Sequence, residues 1–269
     1  MAPTRPAEPD IRRYYTNVYD EAGRLGRTPQ GRLERARTRE LLARLLPPPP
    51  ATVLDLGGGP GAYAGWLAAA GHPVHLVDLV PAHAAAARRH HPVASASAGD
   101  ARHLPYADAS VDAALLLGPL YHLTERGERI TALREAARVT RPGGPVLAAA
   151  ISRNTPMIDL VRQGRVDDAT RPAILSAYAT GVNDPATGFT TAYFHRPEQL
   201  VDEFTAAGLP TPALYGIEGP LWPVLETLGA GEDSTLFREA VACARAFECD
   251  PAVIGTSCHL LAVATSGAC

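Results

Sequence analysis

Three aspartates, Asp55, Asp78 and Asp100, each stand at the end of a short apolar run, and a glycine cluster follows the first of them. In VLDLGGGPGA the glycines Gly57, Gly59 and Gly61 follow the first run. They permit positive φ angles and let the main chain approach a ligand with no Cβ in the way. The helix that follows adds N–H donors with no partner inside it. Asp78, with Leu79 beside it, closes the second apolar run, and its two oxygens match the paired 2′ and 3′ hydroxyls of a ribose. Gly57, Gly59 and Ala62 also satisfy G-x-G-x-x-A, so the loop alone leaves a dinucleotide open. Asp55 argues the other way, because a diphosphate beside it would meet like charge while an ammonium would be welcome. Asp100 follows the third run, where a carboxylate accepts from an adenine 6-amino group and the N–H of Ala101 donates to a ring nitrogen. Together the three carboxylates suit a cationic ligand with amine, ribose and adenine handles, which describes S-adenosyl-L-methionine.

Side chains at strand ends need a sheet to line them up. Apolar segments at 52–56, 74–77, 93–97, 111–117 and 146–151 alternate with helical segments at 62–70, 82–90 and 125–139. This alternation predicts a parallel sheet covered on both faces. Before it, the chain reads as a Pro-rich, disordered start (1–10) and short helical pieces. A longer helix follows, with Leu33, Ala36, Leu41, Leu42 and Leu45 on its inner face, stopped by four prolines at 47–50. After residue 151 the rhythm breaks. Residues 152–192 read as a helical insertion over the edge of the sheet, RPEQLVDEFTAAGL restores a helix, and PALYGIEG and CHLLAVATS read as closing strands. The domain reading is an N-terminal helical lid (1–46) and an α/β domain (47–269) that carries the insertion.

Composition narrows the chemistry. The 269 residues are 46% apolar, enough for a sizeable core, and the formal charge of −3 gives no reason to expect nucleic acid or a membrane surface as partner. All 25 basic residues are arginine, which removes a Walker P-loop and Schiff-base catalysis, both of which need lysine. No run approaches the roughly 20 apolar residues of a membrane span, and the first residues lack a secretory h-region, so a cytoplasmic location is expected. Cys243, Cys249, Cys258 and Cys269 lack C-x-x-C spacing and read as ordinary thiols, with no metal site expected.

The motifs resemble, in order, those of the class I S-adenosylmethionine-dependent methyltransferases. VLDLGGGPGAYA matches the first, VHLVDL the acidic second strand and GDARHLP the adenine-side loop. SVDAALLLGPLYHL resembles the fourth strand and its exit, and EAARVTRPGGPVLAAA the fifth strand with its preceding helix. The resemblance implies a Rossmann-like, doubly wound, mainly parallel seven-stranded sheet whose last strand is antiparallel, with helical lid elements. It implies that Gly57, Gly59 and Gly61 pass along the methionine end of the cofactor with Asp55 helping to hold it. It also implies that Asp78 takes the ribose, Asp100 and Ala101 the adenine, and that Leu117 and Gly118 flank the cofactor. By the same resemblance Tyr19, in its Tyr-Asp pair, folds over the cofactor, with Tyr14 and Tyr15 as alternatives. Arg37 is a candidate for the methionine carboxylate or an acidic substrate, against a solvated helix face.

Tyr121 and His122 fall where relatives direct residues at the acceptor, and His122 is the best general-base candidate because an unperturbed imidazole titrates near neutrality. His195, returning from the insertion, is a further candidate. Met157, Ile158, Leu160, Tyr178, Phe189, Tyr193 and Trp222 would wall an acceptor pocket or form the insertion's own core. The expected activity is in-line methyl transfer to a small-molecule acceptor at O, N, C or S; the sequence leaves a homodimer open. Two alternatives remain at this level: an NAD(P)-dependent oxidoreductase, and a protein that binds S-adenosylmethionine without transferring its methyl group.

Overall fold

The computed structural model describes residues 8–185 and 189–267; the first seven residues, part of the GVNDPATG turn and Cys269 lie outside the described residues. Helices α1 (Glu8–Asn17), α2 (Arg24–Arg27) and α3 (Pro29–Leu45) precede the sheet. The Thr28 hydroxyl accepts from the Gly31 N–H at 3.0 Å and Pro29 fills the first turn, so α3 starts sharply. Along α3, Leu33 packs against Trp222 and Phe237, while Leu41 and Leu42 join the core against the sheet. All three leucines are fully buried, which stabilises the docked helix by about 2 kcal/mol each.

The expected alternation is present. The chain runs β1 (Val53–Leu56), α4 (Ala62–Ala69), β2 (Val74–Asp78), α5 (Pro81–His90), β3 (Ser95–Ala98), β4 (Ala113–Leu116), α6 (Pro119–His122), α7 (Arg126–Val139) and β5 (Pro145–Ile151). Helices α8 (Thr155–Arg162), α9 (Arg171–Thr180) and α10 (Pro197–Ala206) follow. Then come β6 (Ala213–Gly216), α11 (Trp222–Leu228), α12 (Thr235–Phe247) and β7 (His259–Thr265). The seven strands lie in the order β3-β2-β1-β4-β5-β7-β6. The first five are parallel and β7 runs antiparallel to both its neighbours. The third strand begins two residues later than the apolar pattern predicts, because an edge strand of serine and alanine carries little hydrophobic signal.

Side-chain alternation splits the core into two layers. Leu54 and Leu56 of β1 face α7 and α10 with Leu133, Ala136 and Phe204, whereas Val53 faces the layer of Leu41, Tyr63 and Leu67. Strand order reverses between β1 and β4, so a crevice opens at the carboxyl ends of these strands. Among the described residues no helix is long and apolar enough to cross a membrane.

Candidate active site

The glycine loop closes over the end of β1 by two tight contacts. A Cβ on Gly58 would sit 2.5 Å from Asp55 Oδ2, so only glycine fits above that carboxylate. Gly59 adopts φ 58°, and from there its N–H donates to Asp78 Oδ2 at 2.8 Å. Asp78 Oδ1 in turn accepts from the Val80 N–H at 2.8 Å and faces His83 Nδ1 at 3.2 Å. Asp78 therefore orders the loop as well as facing the crevice.

A cavity in this crevice is lined by Asp55, Gly57, Gly59, Asp78, Leu79, Asp100, Ala101, Leu117, Gly118, Tyr121 and His122. The three strand-end aspartates thus share one cleft. Their environments differ. Asp55 is buried and neither of its oxygens has a hydrogen-bond partner. Burial, with the Asp78 charge adding to it, raises its pKa to about 7. Asp100 is half-buried, which alone would raise its pKa. The guanidinium and backbone N–H of Arg102 donate to it at 2.5–3.0 Å, and the balance holds the carboxyl below its usual range. Arg102 also reaches Glu128 at 2.7 Å.

A second cavity adjoins the first, and Tyr15, Glu21, Arg24 and Tyr121 line both. Phe189 and Trp222 line the second, as the sequence suggested. The other residues considered for that wall do not. Leu160 is buried, Ile158 packs beside Trp222, Met157 lines neither cavity, Tyr178 lies exposed under Arg196, and Tyr193 is held by Arg129 and Arg153.

At the junction the Tyr15 hydroxyl lies 2.9 Å from His122 Nε2, with the two rings edge to face. Burial pushes the His122 pKa down to about 4, against smaller opposing effects of the Thr191 backbone and the Asp78 charge. The imidazole is therefore neutral at physiological pH. Burial also pushes Tyr121 up to about 12, so its hydroxyl stays protonated.

Four sequence candidates lie elsewhere. His195 is fully buried and lines neither cavity: its backbone pairs with the end of β5, which turns the ring onto Glu203 Oε2 at 3.1 Å. Tyr14 lines neither cavity and stacks on Tyr19, while Tyr19 lines only the second and lies under Arg27. It is Tyr15, the alternative, that faces the first cavity. Gly61 caps α4 in a left-handed conformation with the His91 ring against it, and does not reach the cavity wall.

Arg37 is also redirected. It is fully buried away from the crevice, paired with Glu40 at 2.6 Å and Glu248 at 2.5 Å. The arginine that does line both cavities is Arg24, gripped by Glu34 at 2.6 and 2.7 Å and by Glu21 at 2.8 Å. Sequence reasoning missed it, and missed Tyr63, which is buried and lines the first cavity. Neither carries a local signal, since an arginine opening a short, charged helical piece reads as a solvated face.

Comparison with known proteins agrees with this geometry. A family described as a methyltransferase domain matches residues 53–144. The malonyl-[acyl-carrier protein] O-methyltransferase of Methylococcus capsulatus is 40% identical over 119 residues, 42% of this chain and 42% of that protein. The demethylmenaquinone methyltransferase of Beutenbergia cavernae is 35% identical over 120 residues, 45% of this chain and 49% of that one. The chain thus spans less than half the length of these relatives. In structure it is similar to the geranyl diphosphate C-methyltransferase of Streptomyces coelicolor, solved with Mg2+, geranyl diphosphate and S-adenosyl-L-homocysteine. That likeness has a TM-score of 0.58 at 18% identity and covers 98% of this chain and 100% of the other. Residues 53–144 therefore match a methyltransferase domain, and the seven-stranded fold that carries them is similar to that of solved S-adenosylmethionine-dependent methyltransferases.

Proposed function

We propose that this protein binds S-adenosylmethionine in the first cavity and transfers its methyl group to a small-molecule acceptor in the second. The observation that carries the reading is Asp55, a wholly buried carboxylate on the cavity wall with both oxygens unpartnered. A buried charge without a partner is costly, and a ligand ammonium meets that need directly. Asp78 offers its remaining lone pairs to the ribose hydroxyls, and Asp100, held by Arg102, stands with Ala101 on the cavity wall where the adenine would lie. The diphosphate of a dinucleotide would instead lie against Asp55 and Asp78, which disfavours the oxidoreductase reading.

When bound, the sulfonium supplies an electrophilic methyl group for an in-line displacement. The protein's own share is positioning, exclusion of water and removal of a proton. Tyr15 lines both cavities, so its hydroxyl stands where an acceptor and the cofactor meet, with His122 behind it to take the acceptor's proton. Burial makes that imidazole a weaker base than the near-neutral value expected from the sequence. Helices α1–α3 act as the lid, because Tyr15 and Arg24 reach the junction from them. The residue 152–192 insertion supplies further wall through Thr155, Asp159 and Phe189.

Calorimetric titration with S-adenosylhomocysteine and with NADH, followed by incubation of deuteromethyl-labelled S-adenosylmethionine with a panel of phenols, amines and carboxylic acids, tests the reading. Binding of the nucleoside, no heat with NADH, and label in a product support it. Tight NADH binding without a response to S-adenosylhomocysteine would reverse it.

A further inference from the structure

Beside the second cavity the fold brings together side chains that the sequence spacing keeps apart. His259 opens β7 with Cys258 just before it, and the chain leaving β6 places Glu218 against them. The Cys258 sulfur, a ring nitrogen of His259 and a Glu218 oxygen all lie within 4.8 Å of one another. His259 Nδ1 is 2.6 Å from Glu218 Oε1 and 3.8 Å from Glu34 Oε2, a second carboxylate contributed by α3. Glu218, Glu34 and Cys258 are all buried. The cluster is nonetheless reachable: Cys258 lines the second cavity, and Gln30 on the same wall donates to Glu218 Oε1 at 3.1 Å.

We propose that Cys258, His259 and Glu218 form a binding site for a divalent transition-metal ion, zinc foremost. Thiolate, imidazole and carboxylate are the ligand types that zinc takes, and three protein ligands leave a fourth tetrahedral position for an outside donor. Ligand atoms around tetrahedral zinc stand about 3.3–3.8 Å apart, from bond lengths of roughly 2.0–2.3 Å. The 2.6 Å contact between His259 and Glu218 must therefore open by about 1 Å to admit the ion, and the Cys258 sulfur already stands within 4.8 Å of both partners. Charge is compatible with the ion. Glu34 and Glu218, with Glu21 behind them, bring three carboxylates close to the Arg24 guanidinium and the His259 ring. Zinc displaces the thiol proton and any imidazole proton, so its two charges take their place beside these carboxylates. A proton on His259 is the competing occupant, and a tightly bound metal displaces it. The adjoining wall of the second cavity gives the fourth position a class of ligand: a small molecule with an oxygen, nitrogen or sulfur donor. The site does not depend on the cofactor assignment.

The test is metal binding by the full chain, freed of metal with a chelator and titrated with Zn2+ in competition with a chromophoric chelator. Co2+ substitution is read by absorption. One equivalent of zinc with a micromolar or tighter Kd, and a thiolate-to-cobalt charge-transfer band, are expected. Cys258→Ser abolishes the band and weakens zinc binding at least tenfold, and Glu218→Gln weakens it further. Far-ultraviolet circular dichroism of each variant reports that it is folded, and the wild-type cobalt spectrum stands whether or not a variant folds. No stoichiometric uptake, no charge-transfer band, or uptake that folded Cys258→Ser leaves intact would each overturn the proposal; the last would place the metal elsewhere, for example at His90 and His91.

Discussion

Asp55 makes the cofactor assignment measurable by pH. In the free protein its carboxyl titrates at about 7 because burial and the neighbouring Asp78 disfavour its charge. A ligand ammonium against it favours the ionised form and lowers that pKa in the complex. Binding therefore tightens as pH rises to 7 and levels off above it. If the pKa in the complex falls below 5, Kd at pH 5 exceeds Kd at pH 8 by about 100-fold, or about 3 kcal/mol. The ligand ammonium stays protonated over this range, so it adds no opposing slope. Calorimetric titration with S-adenosylhomocysteine at pH 5, 6, 7 and 8 reads the effect, and Asp55→Asn is the control: it binds more weakly at pH 8 with a Kd nearly independent of pH. A flat wild-type profile, or an Asp55→Asn profile as steep as wild type, would refute the reasoning.

The same group affects the stability of the ligand-free protein with a definite sign. Because folding raises the Asp55 pKa, the fold loses stability as pH rises from the ordinary carboxylate range through about 7. Asp55→Asn removes that penalty, up to about 4 kcal/mol, so the variant melts higher than wild type at pH 8 and equally near pH 4. Asp78→Ala removes ribose acceptors and frees the Gly59 N–H; S-adenosylhomocysteine affinity is expected to fall by about 1–3 kcal/mol, with far-ultraviolet circular dichroism unchanged. His122→Ala is expected to keep S-adenosylhomocysteine affinity while turnover drops about 100- to 10,000-fold in a labelled-methyl assay. Tyr15→Phe lowers turnover too, and the double variant is no worse than His122→Ala because the pair acts as a unit.

Much of the candidate site's placement was legible because strand ends are legible. Asp55, Asp78 and Asp100 each close an apolar run, and parallel pairing of β1, β2 and β3 brings such ends to one rim. The five parallel strands followed from alternation, whereas the antiparallel β7 followed only from the family resemblance. What stayed hidden depends on long-range neighbours. Arg24 and Arg37 look alike in sequence, and Arg37 is removed from the crevice by Glu248, 211 residues away. Tyr14, Tyr15 and Tyr19 share one segment, and only the docking of α1 decides that Tyr15 meets His122, 107 residues on. His195, a further candidate in the sequence, is turned toward Glu203 by its backbone pairing with β5. The Asp100–Arg102 pair is local, but nothing in D-x-R spacing distinguishes it from two solvated charges.

The most direct test of the central claim is a crystal structure of the complex with S-adenosylhomocysteine. The nucleoside should span the first cavity with its amino group within hydrogen-bond reach of Asp55, its ribose hydroxyls on Asp78 and its adenine beside Asp100 and Ala101. A nucleoside bound elsewhere, or a filled crevice in which the Asp55 carboxylate still faces no cationic group, would contradict it.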